Sequence, residues 1–483
     1  MHPNRQLLSF TRGRILPFLV IFVSFFLMAA DTGFRPDLDL SIRSWIESQV
    51  SQNRFLRSFH PNEEFVVSAK GDDWSVRLPS GYFLIDQYGG SLEFEDSSFS
   101  FSPRDGELAD VSWQLPFSVS YKDTKDQVDD TYRLDFSKQI GKGVFSTHLR
   151  SFIDFEAKLD DLILVLNKKI KLSVSQLGLS GKSRKVDSER FDSFGFGHIT
   201  GLNIFSGTSA FELDEFRITA ALGGSQINSY SSALGELIQG ATTRPRLFSF
   251  DEPMSDSLAV GLHLGGLEYR QELRQLSLRN GYASFAVDGL RETRSSLAVG
   301  LNLTEFQANP IAAIPKELLP HSINADLDIE SLPNISLAKL SEDFLAISDT
   351  AGTPYATGII LSDFWKLMKR EKPWIGVTIQ KWQSDMLGLR GTAKIRPHDK
   401  AALGWEATID FEIDRLSNFI SHLRSNQNTQ RLVQFLTILQ GLGIPVDPDK
   451  PGGARRYKVK STVNGEMTVN DTDIMPLITS SIQ

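Results

Sequence analysis

From Val111 to Tyr121 every odd position is apolar (Val111, Trp113, Leu115, Phe117, Val119, Tyr121) and every even one is polar or proline. A period of two marks a half-buried strand, and Pro116 makes this one an edge strand or a bulge. The alternation recurs in Tyr132, Leu134 and Phe136; in Ile170, Leu172 and Val174; in Ile323, Ala325, Leu327 and Ile329; and in Trp405, Ala407, Ile409, Phe411 and Ile413. The last run puts Glu406, Thr408, Asp410, Glu412 and Asp414 on the opposite face, so one side belongs against apolar neighbours and the other in water. Parallel sheets are covered on both faces and read as unbroken apolar runs, so antiparallel sheet is predicted.

Helical spacing is rarer. Ile42, Trp45, Ile46, Gln49 and Val50 form a short stripe with Asp39 or Ser41 as its cap, and a second helix is expected over about Ser362 to Arg370. Leu416, Phe419, Ile420 and Leu423, then Leu432, Phe435, Leu436 and Leu439, predict a helical hairpin over about 415–442, packed on the sheet and stopped by Gly441 and Gly443. A Pro/Gly-rich stretch from Gly443 to Gly453 leads to a terminal β-hairpin over about 455–470. A three-residue turn that includes Glu466 aligns Val463 with Met467 and keeps the apolar residues on one face, which a two-residue Asn464-Gly465 turn does not.

One internal repeat stands out. Ser257 to Leu264 (SLAVGLHL) and Ser296 to Leu303 (SLAVGLNL) agree at seven of eight positions, 39 residues apart, which suggests duplicated strand units. Between them two short strands are expected, Gln275 to Leu278 and Ser284 to Val287, with Asn280 and Gly281 as the turn.

Arg5, Arg12 and Arg14 precede an uncharged run from Ile15 to Ala30, the layout of an export segment. A helix of that length reaches roughly 24 Å against a hydrocarbon core of about 30 Å, which suits a cleaved signal peptide. Met28, where a small residue is wanted for cleavage before Asp31, favours an uncleaved single-span anchor. Both readings put the body of the chain on the non-cytoplasmic side, since Asp31, Asp37 and Asp39 follow the apolar run. Thr242, Thr243, Pro245 and Pro253 separate two strand-dense regions. The expected plan is therefore an N-terminal hydrophobic helix at 1–30, a β-rich domain at 31–250 and a second at 251–483: a mainly β fold of amphipathic antiparallel sheets with a few short helices.

Composition narrows the function. With 41% hydrophobic and 23% charged residues the chain is a folded protein, and a net charge of -8 without a strongly basic domain argues against nucleic acid as a partner. The absence of cysteine removes thiol nucleophiles, disulfides, Cys-ligated zinc, iron-sulfur clusters and lipoprotein attachment. Gly178 to Ser183 (GLSGKS) ends like a phosphate-binding loop, but Gln176 stands where its first glycine belongs. Ser336 and Lys339 have Ser-x-x-Lys spacing without the companion motifs, and Gly207 to Phe211 lacks the closing glycine of a nucleophile elbow. The eight histidines are dispersed. Asp447 and Asp449 are followed by Pro451 and Lys458 where a calcium loop needs ligands, while Asp123, Asp126, Asp129 and Asp130 read as a solvated loop. No catalytic, metal or cofactor residue is assigned and no cofactor is expected.

The 33 phenylalanines against 9 tyrosines and 7 tryptophans suit a wholly apolar environment, either a closed core or a groove for acyl chains. Val111, Trp113, Leu115, Phe117, Trp405, Ile409 and Phe411 are the candidate apolar-face residues. Arg455, Arg456, Lys458 and Lys460 form one compact basic cluster, which either protects a sheet edge or contacts lipid headgroups.

The N-terminal segment, the long series of amphipathic strands, the stretch Leu318 to Leu340 and the ending GGARRYKVKSTVNGEMTVNDTDIMPLI (Gly452 to Ile478) resemble an uncharacterised family of exported alphaproteobacterial proteins. In style it is similar to the AsmA-like and YdgA-like envelope proteins. Asp471 stands where such endings carry a glycine. The resemblance implies a β-rich body tethered to the inner membrane, facing the periplasm and concerned with envelope lipids, and it brings no catalytic residues. The expectation is a non-enzymatic envelope protein that meets the membrane and binds lipid or another envelope protein. The alternatives are a purely structural scaffold and a hydrolase whose site is assembled from distant residues.

Overall fold

The computed structural model describes residues 56–476, apart from breaks at 65, 72, 86–89, 105–106, 123–130, 147–150, 167–169, 227–252, 254, 273, 310–318, 352, 402–403, 425–429 and 451–452. The N-terminal apolar run, the Ile42 to Val50 stripe and the Asp123 to Asp130 loop lie outside the described residues. The fold is mainly β with a minor helical part, as the alternation predicts, and every strand pairing is antiparallel. The chain divides between Phe248 and Ser249 into two compact units.

Among the described residues the first unit has ten short strands, β1 (Leu56–Pro61), β2 (Val66–Lys70), β3 (Asp73–Leu78), β4 (Gly81–Ile85), β5 (Gly90–Phe94), β6 (Ser97–Pro103), β7 (Leu108–Gln114), β8 (Ser118–Lys122), β9 (Thr131–Asp135) and β10 (Lys138–Ser146). Four long ones follow: β11 (Ser151–Leu166), β12 (Ile170–Lys185), β13 (Arg190–Ser206) and β14 (Ser209–Gln226). The short strands form two ladders, β1-β4-β5-β8-β9 and β2-β3-β6-β7-β10. Both end on the same edge of β11, β10 along its first half and β9 along its second, and β12 to β14 continue from the other edge. In one ladder Phe83, Leu92 and Tyr121 stand side by side; in the other Val76 meets Phe99, and Phe101 meets Val111. All seven are buried, and among the described residues this unit has no helix.

The Val111 to Tyr121 run is thus not one strand. The chain leaves one ladder after Gln114 and enters the other at Ser118, and Pro116, which has no N–H to give a ladder, sits buried at the crossing. Gln139 clamps it: the Leu115 N–H donates to Oε1 at 2.7 Å and Nε2 donates to the Leu115 carbonyl at 2.8 Å.

The long strands change pleat together. Asp161, Ser175, Gly201 and Asp214 occupy one level across β11 to β14. On one side of that level the apolar residues are Leu159, Leu177, Ile199 and Phe216; on the other they are Leu164, Leu172, Ile204 and Phe211, with the parity reversed in every strand. Asp161 and Gly201 have φ of 54° and 61°, a left-handed conformation that reverses the alternation without changing register. A Cβ on Gly201 would collide with the Ser175 hydroxyl.

The second unit has β15 (Ser257–Gln271), β16 (Arg274–Asp288), β17 (Arg294–Thr304), β18 (Gln307–Asn309) and β19 (Ser322–Pro333), then α1 (Asn334–Ala351) and α2 (Thr353–Glu371). β20 (Ile375–Gln383), β21 (Gly388–Pro397) and β22 (Trp405–Asp414) follow, then α3 (Leu416–Leu423), α4 (Gln430–Leu442), β23 (Ile444–Pro445), β24 (Arg455–Ser461), β25 (Met467–Val469) and β26 (Thr472–Asp473). Eight strands run side by side in the order β15-β16-β17-β19-β20-β21-β22-β24. The two copies of the repeat flank β16 at the same level, Ser257 and Ser296 both opposite Asp288, and Leu264 and Leu303 both opposite Gly281.

Several sequence expectations change here. β16 is a single 15-residue strand, and Asn280-Gly281 lies inside it rather than in a turn. The apolar parity reverses there as in the first unit, from Leu276 and Leu278 to Ala283, Phe285 and Val287, next to Gly266 (φ 61°) on β15 and Glu305 (φ 52°) after β17. The helix α1 was not anticipated. Its first residue, buried Asn334, places Nδ2 within 3.0 Å of the carbonyl oxygens of Gly289, Leu290 and Glu292. The terminal hairpin has a three-residue loop, but it is Val463 to Gly465: the Thr462 N–H donates to the Glu466 carbonyl at 3.0 Å, Gly465 takes φ 84°, and Ser461 faces Met467. Among the described residues no helix is long and apolar enough to cross a membrane.

Candidate functional site: an apolar sheet face

In the second unit the register turns isolated alternations into one surface. Val260, Phe285, Val299, Leu327, Val377, Ala393, Ile409 and Val459 form a row across all eight strands. The next row is Leu262, Ala283, Leu301, Ala325, Ile379, Gly391, Phe411 and Tyr457. At a strand spacing of about 4.8 Å such a row is roughly 34 Å long. The reverse face carries Asp326, Asp328, Lys394, Arg396, Glu406, Asp410, Glu412, Arg456 and Lys458.

Helices cover this apolar face in two places. Met368 and Phe364 of α2 and Leu337 of α1 pack with Ile329, Leu332, Ile375, Leu297, Leu327 and Trp405. Leu416, Ile420 and Leu423 of α3 and Leu436 of α4 pack with Ile413, Tyr457, Val459, Ile409 and Phe411. Among the described residues no helix packs on the β15-β16 part of the face: Leu262 (38% exposed), Phe285 (39%) and Leu301 (38%) surround Ala283. Fully burying a Leu or Phe side chain is worth about 1.5–3 kcal/mol, so these three retain a substantial unrealised gain.

Of the sequence candidates, Ile409 and Phe411 lie on this face beneath α3 and α4, and Trp405 lies beneath α2, its ring 5.2 Å from that of Trp365. Phe411 stacks on Tyr457 at 5.0 Å. Tyr457 is fully buried, with its hydroxyl unpartnered against Gly443, and burial raises its phenol pKa. Val111 and Trp113 belong to β7 of the first unit, Trp113 with its ring 5.7 Å from Phe152; Leu115 and Phe117 fall in the crossing between ladders. The candidates therefore divide between the two units. The exposed residues Leu262 and Leu301 are not among those candidates; their signal in the sequence is that they hold the same position in both copies of the repeat.

The basic cluster is divided by the pleat. Arg456, Lys458 and Lys460 point to the polar face, where Arg456 bonds both oxygens of Asp410 at 2.8 and 3.0 Å. That hydrogen bond, ahead of the plain charge attraction, holds the Asp410 carboxyl below its ordinary value. Arg455 shares the apolar parity and donates to the Gly443 carbonyl at 2.8 Å.

The remaining motifs are ordinary structure. Gly178 to Ser183 lies within β12, Ser336 and Lys339 on α1, and Gly207 in the turn before β14. His198 Nε2 is 2.8 Å from Gln176 Oε1, and among the described residues no group of His, Asp and Glu could hold a metal ion. In the first unit the apolar face also opens along the long strands, where Gly181, Gly195 and Gly197 adjoin, Leu179 is half exposed and Ile218 lies over Gly197. Comparison with protein-family models, with curated proteins and with solved structures finds no match for this chain.

Proposed function

We propose that the protein is a non-enzymatic, membrane-tethered envelope protein whose body faces the periplasm and holds acyl chains on the open apolar face of the β15-β17 strands. The observation that carries this reading is the cluster Leu262, Phe285 and Leu301, each more than a third exposed at one end of an apolar sheet face whose β19 and β22-β24 strands lie under helices. Such a surface on a folded protein calls for an apolar occupant. Each methylene that it takes from water contributes about 0.8 kcal/mol, so a chain of a dozen methylenes supplies roughly 10 kcal/mol before the cost of ordering it. The N-terminal apolar run and the charges flanking it support the placement at the inner membrane.

Lipid extraction and native mass spectrometry of the protein purified from its own membranes test the reading. Co-purifying lipid is expected, and Leu301→Asp should abolish it while Asn302→Asp, on the reverse face, should not. A well-folded sample that repeatedly carries no lipid contradicts it. The scaffold reading has its own support in the first unit, where Val76, Phe83, Leu92, Phe99, Phe101, Val111 and Tyr121 of the two short-strand ladders are all buried.

A further inference from the structure

We propose that the outer side of α4, with the segment that follows it, docks onto the surface of an anionic lipid bilayer. Leu432, Phe435 and Ile438 recur every three residues along α4 and all three are exposed, Phe435 at 60%. They stand beside the residues that face the sheet, since Leu436 is buried in the core and Leu439 packs against it. Past the helix end Ile444 is 57% exposed and Val446 is exposed too.

Charge selects the occupant. From Leu416 to Val446 the chain has no Asp or Glu, although it contains 59 of them among 483 residues, and the same stretch carries Arg424 and Arg431; the next acidic residue is Asp447. An apolar stripe on a stretch of chain that has no acidic residue and a net positive charge is complementary to a negatively charged leaflet: apolar side chains enter the acyl boundary and cations meet the headgroups. The helix is held firmly enough to present that stripe. Gln440 Nε2 donates to Ser417 Oγ of α3 at 2.6 Å, and Asn470 Nδ2 donates to the Leu442 carbonyl at 2.8 Å, so both the side and the end of α4 are fixed to the fold. Phe435 therefore points outward as a property of the fold. The inference stands apart from acyl-chain binding on the sheet: a bilayer covers α4 whether or not a lipid occupies the β15-β17 face.

The chain has no cysteine, so one introduced thiol reports one place. Ile438→Cys and Thr437→Cys, the latter on the other flank of the helix, are each labelled with an environment-sensitive fluorophore in the full chain. Each is reconstituted in phosphatidylcholine vesicles with or without phosphatidylglycerol. The expected result is a blue shift and quenching by spin-labelled lipid at position 438 and not at 437, strengthened by phosphatidylglycerol, weakened by salt and lost with Phe435→Asp. Reconstitution through the N-terminal segment is common to all samples, so only the local contact differs. Equal water exposure at both positions overturns the proposal, as does a shift at 438 that depends on protein concentration and not on lipid, which would assign the stripe to a second copy of the chain.

Discussion

Leu262 and Leu301 flank Ala283 from the two sides of β16, at the same position of the two repeat copies, and both keep more than a third of their surface in water. A repeat that recreates an exposed leucine on each side of a shared strand builds a surface, whereas one that only built a core would leave both leucines covered. The contrast with Ile329, three strands away from β15 on the same face and 4% exposed under the helices, defines where the open region ends.

That contrast has an energetic signature. Ile329→Ala should cost about 2–5 kcal/mol because it leaves a cavity among Leu332, Met368 and Ile375, while Leu301→Ala should cost about 1 kcal/mol or less. Chemical denaturation followed by a signal from the second unit checks the pair. Equal costs would mean that the β15-β17 face is covered in the folded protein.

The pleat reversal of the first unit predicts a difference between two glycines with nearly the same φ. Gly207 (59°) has open space where a Cβ would go, so Gly207→Ala should cost about 1 kcal/mol through the backbone alone. Gly201 (61°) adds the collision with Ser175, so Gly201→Ala should cost roughly 1–3 kcal/mol more. Urea midpoints of the two variants, measured side by side, decide it.

These reversals also show what was legible in the sequence. Alternation between Trp405 and Ile413, or Ile323 and Ile329, is a local property and identified strands, their apolar side and the antiparallel class. Asn280-Gly281 has the composition of a hairpin turn and predicts two strands where β16 is one, because the same dipeptide also suits the place where a pleat reverses. Val111 to Tyr121 was read as one strand because both ladders face inward, so the crossing at Leu115 and Phe117 keeps the apolar parity. The open face itself is a sum over eight strands and two helical pairs. Which leucines stay exposed depends on how far α1 to α4 reach, and no local pattern states that.

Asn334 joins the β16-β17 connection to the start of α1. Removing its amide in Asn334→Ala leaves carbonyls of Gly289, Leu290 and Glu292 without this donor, which should cost about 2 kcal/mol or more. Hydrogen exchange should show the residue 289–293 turn and the first turn of α1 losing protection together. Unchanged protection would mean that the turn holds without its anchor.

The Arg456-Asp410 pair makes a prediction about acid. The folded Asp410 has its pKa depressed, so the pair's stabilisation is fully present above the ordinary carboxylate value of about 3.9 and is lost as pH falls through the lowered folded value. Arg456→Gln should therefore be less stable than the parent at neutral pH, with the gap closing below about pH 4. A gap that is the same at acid and neutral pH would show that the arginine acts through packing instead of charge.

The claim that acyl chains lie on one side of the β15-β17 strands is tested most directly by photo-crosslinking in the native membrane, with a photoreactive amino acid at Leu301 in one sample and at its neighbour Asn302 in another. The two positions differ by one residue and, through the pleat, by the whole thickness of the sheet. Lipid adducts at 301 and none at 302 are the predicted result; adducts at neither position, or equally at both, would contradict the account.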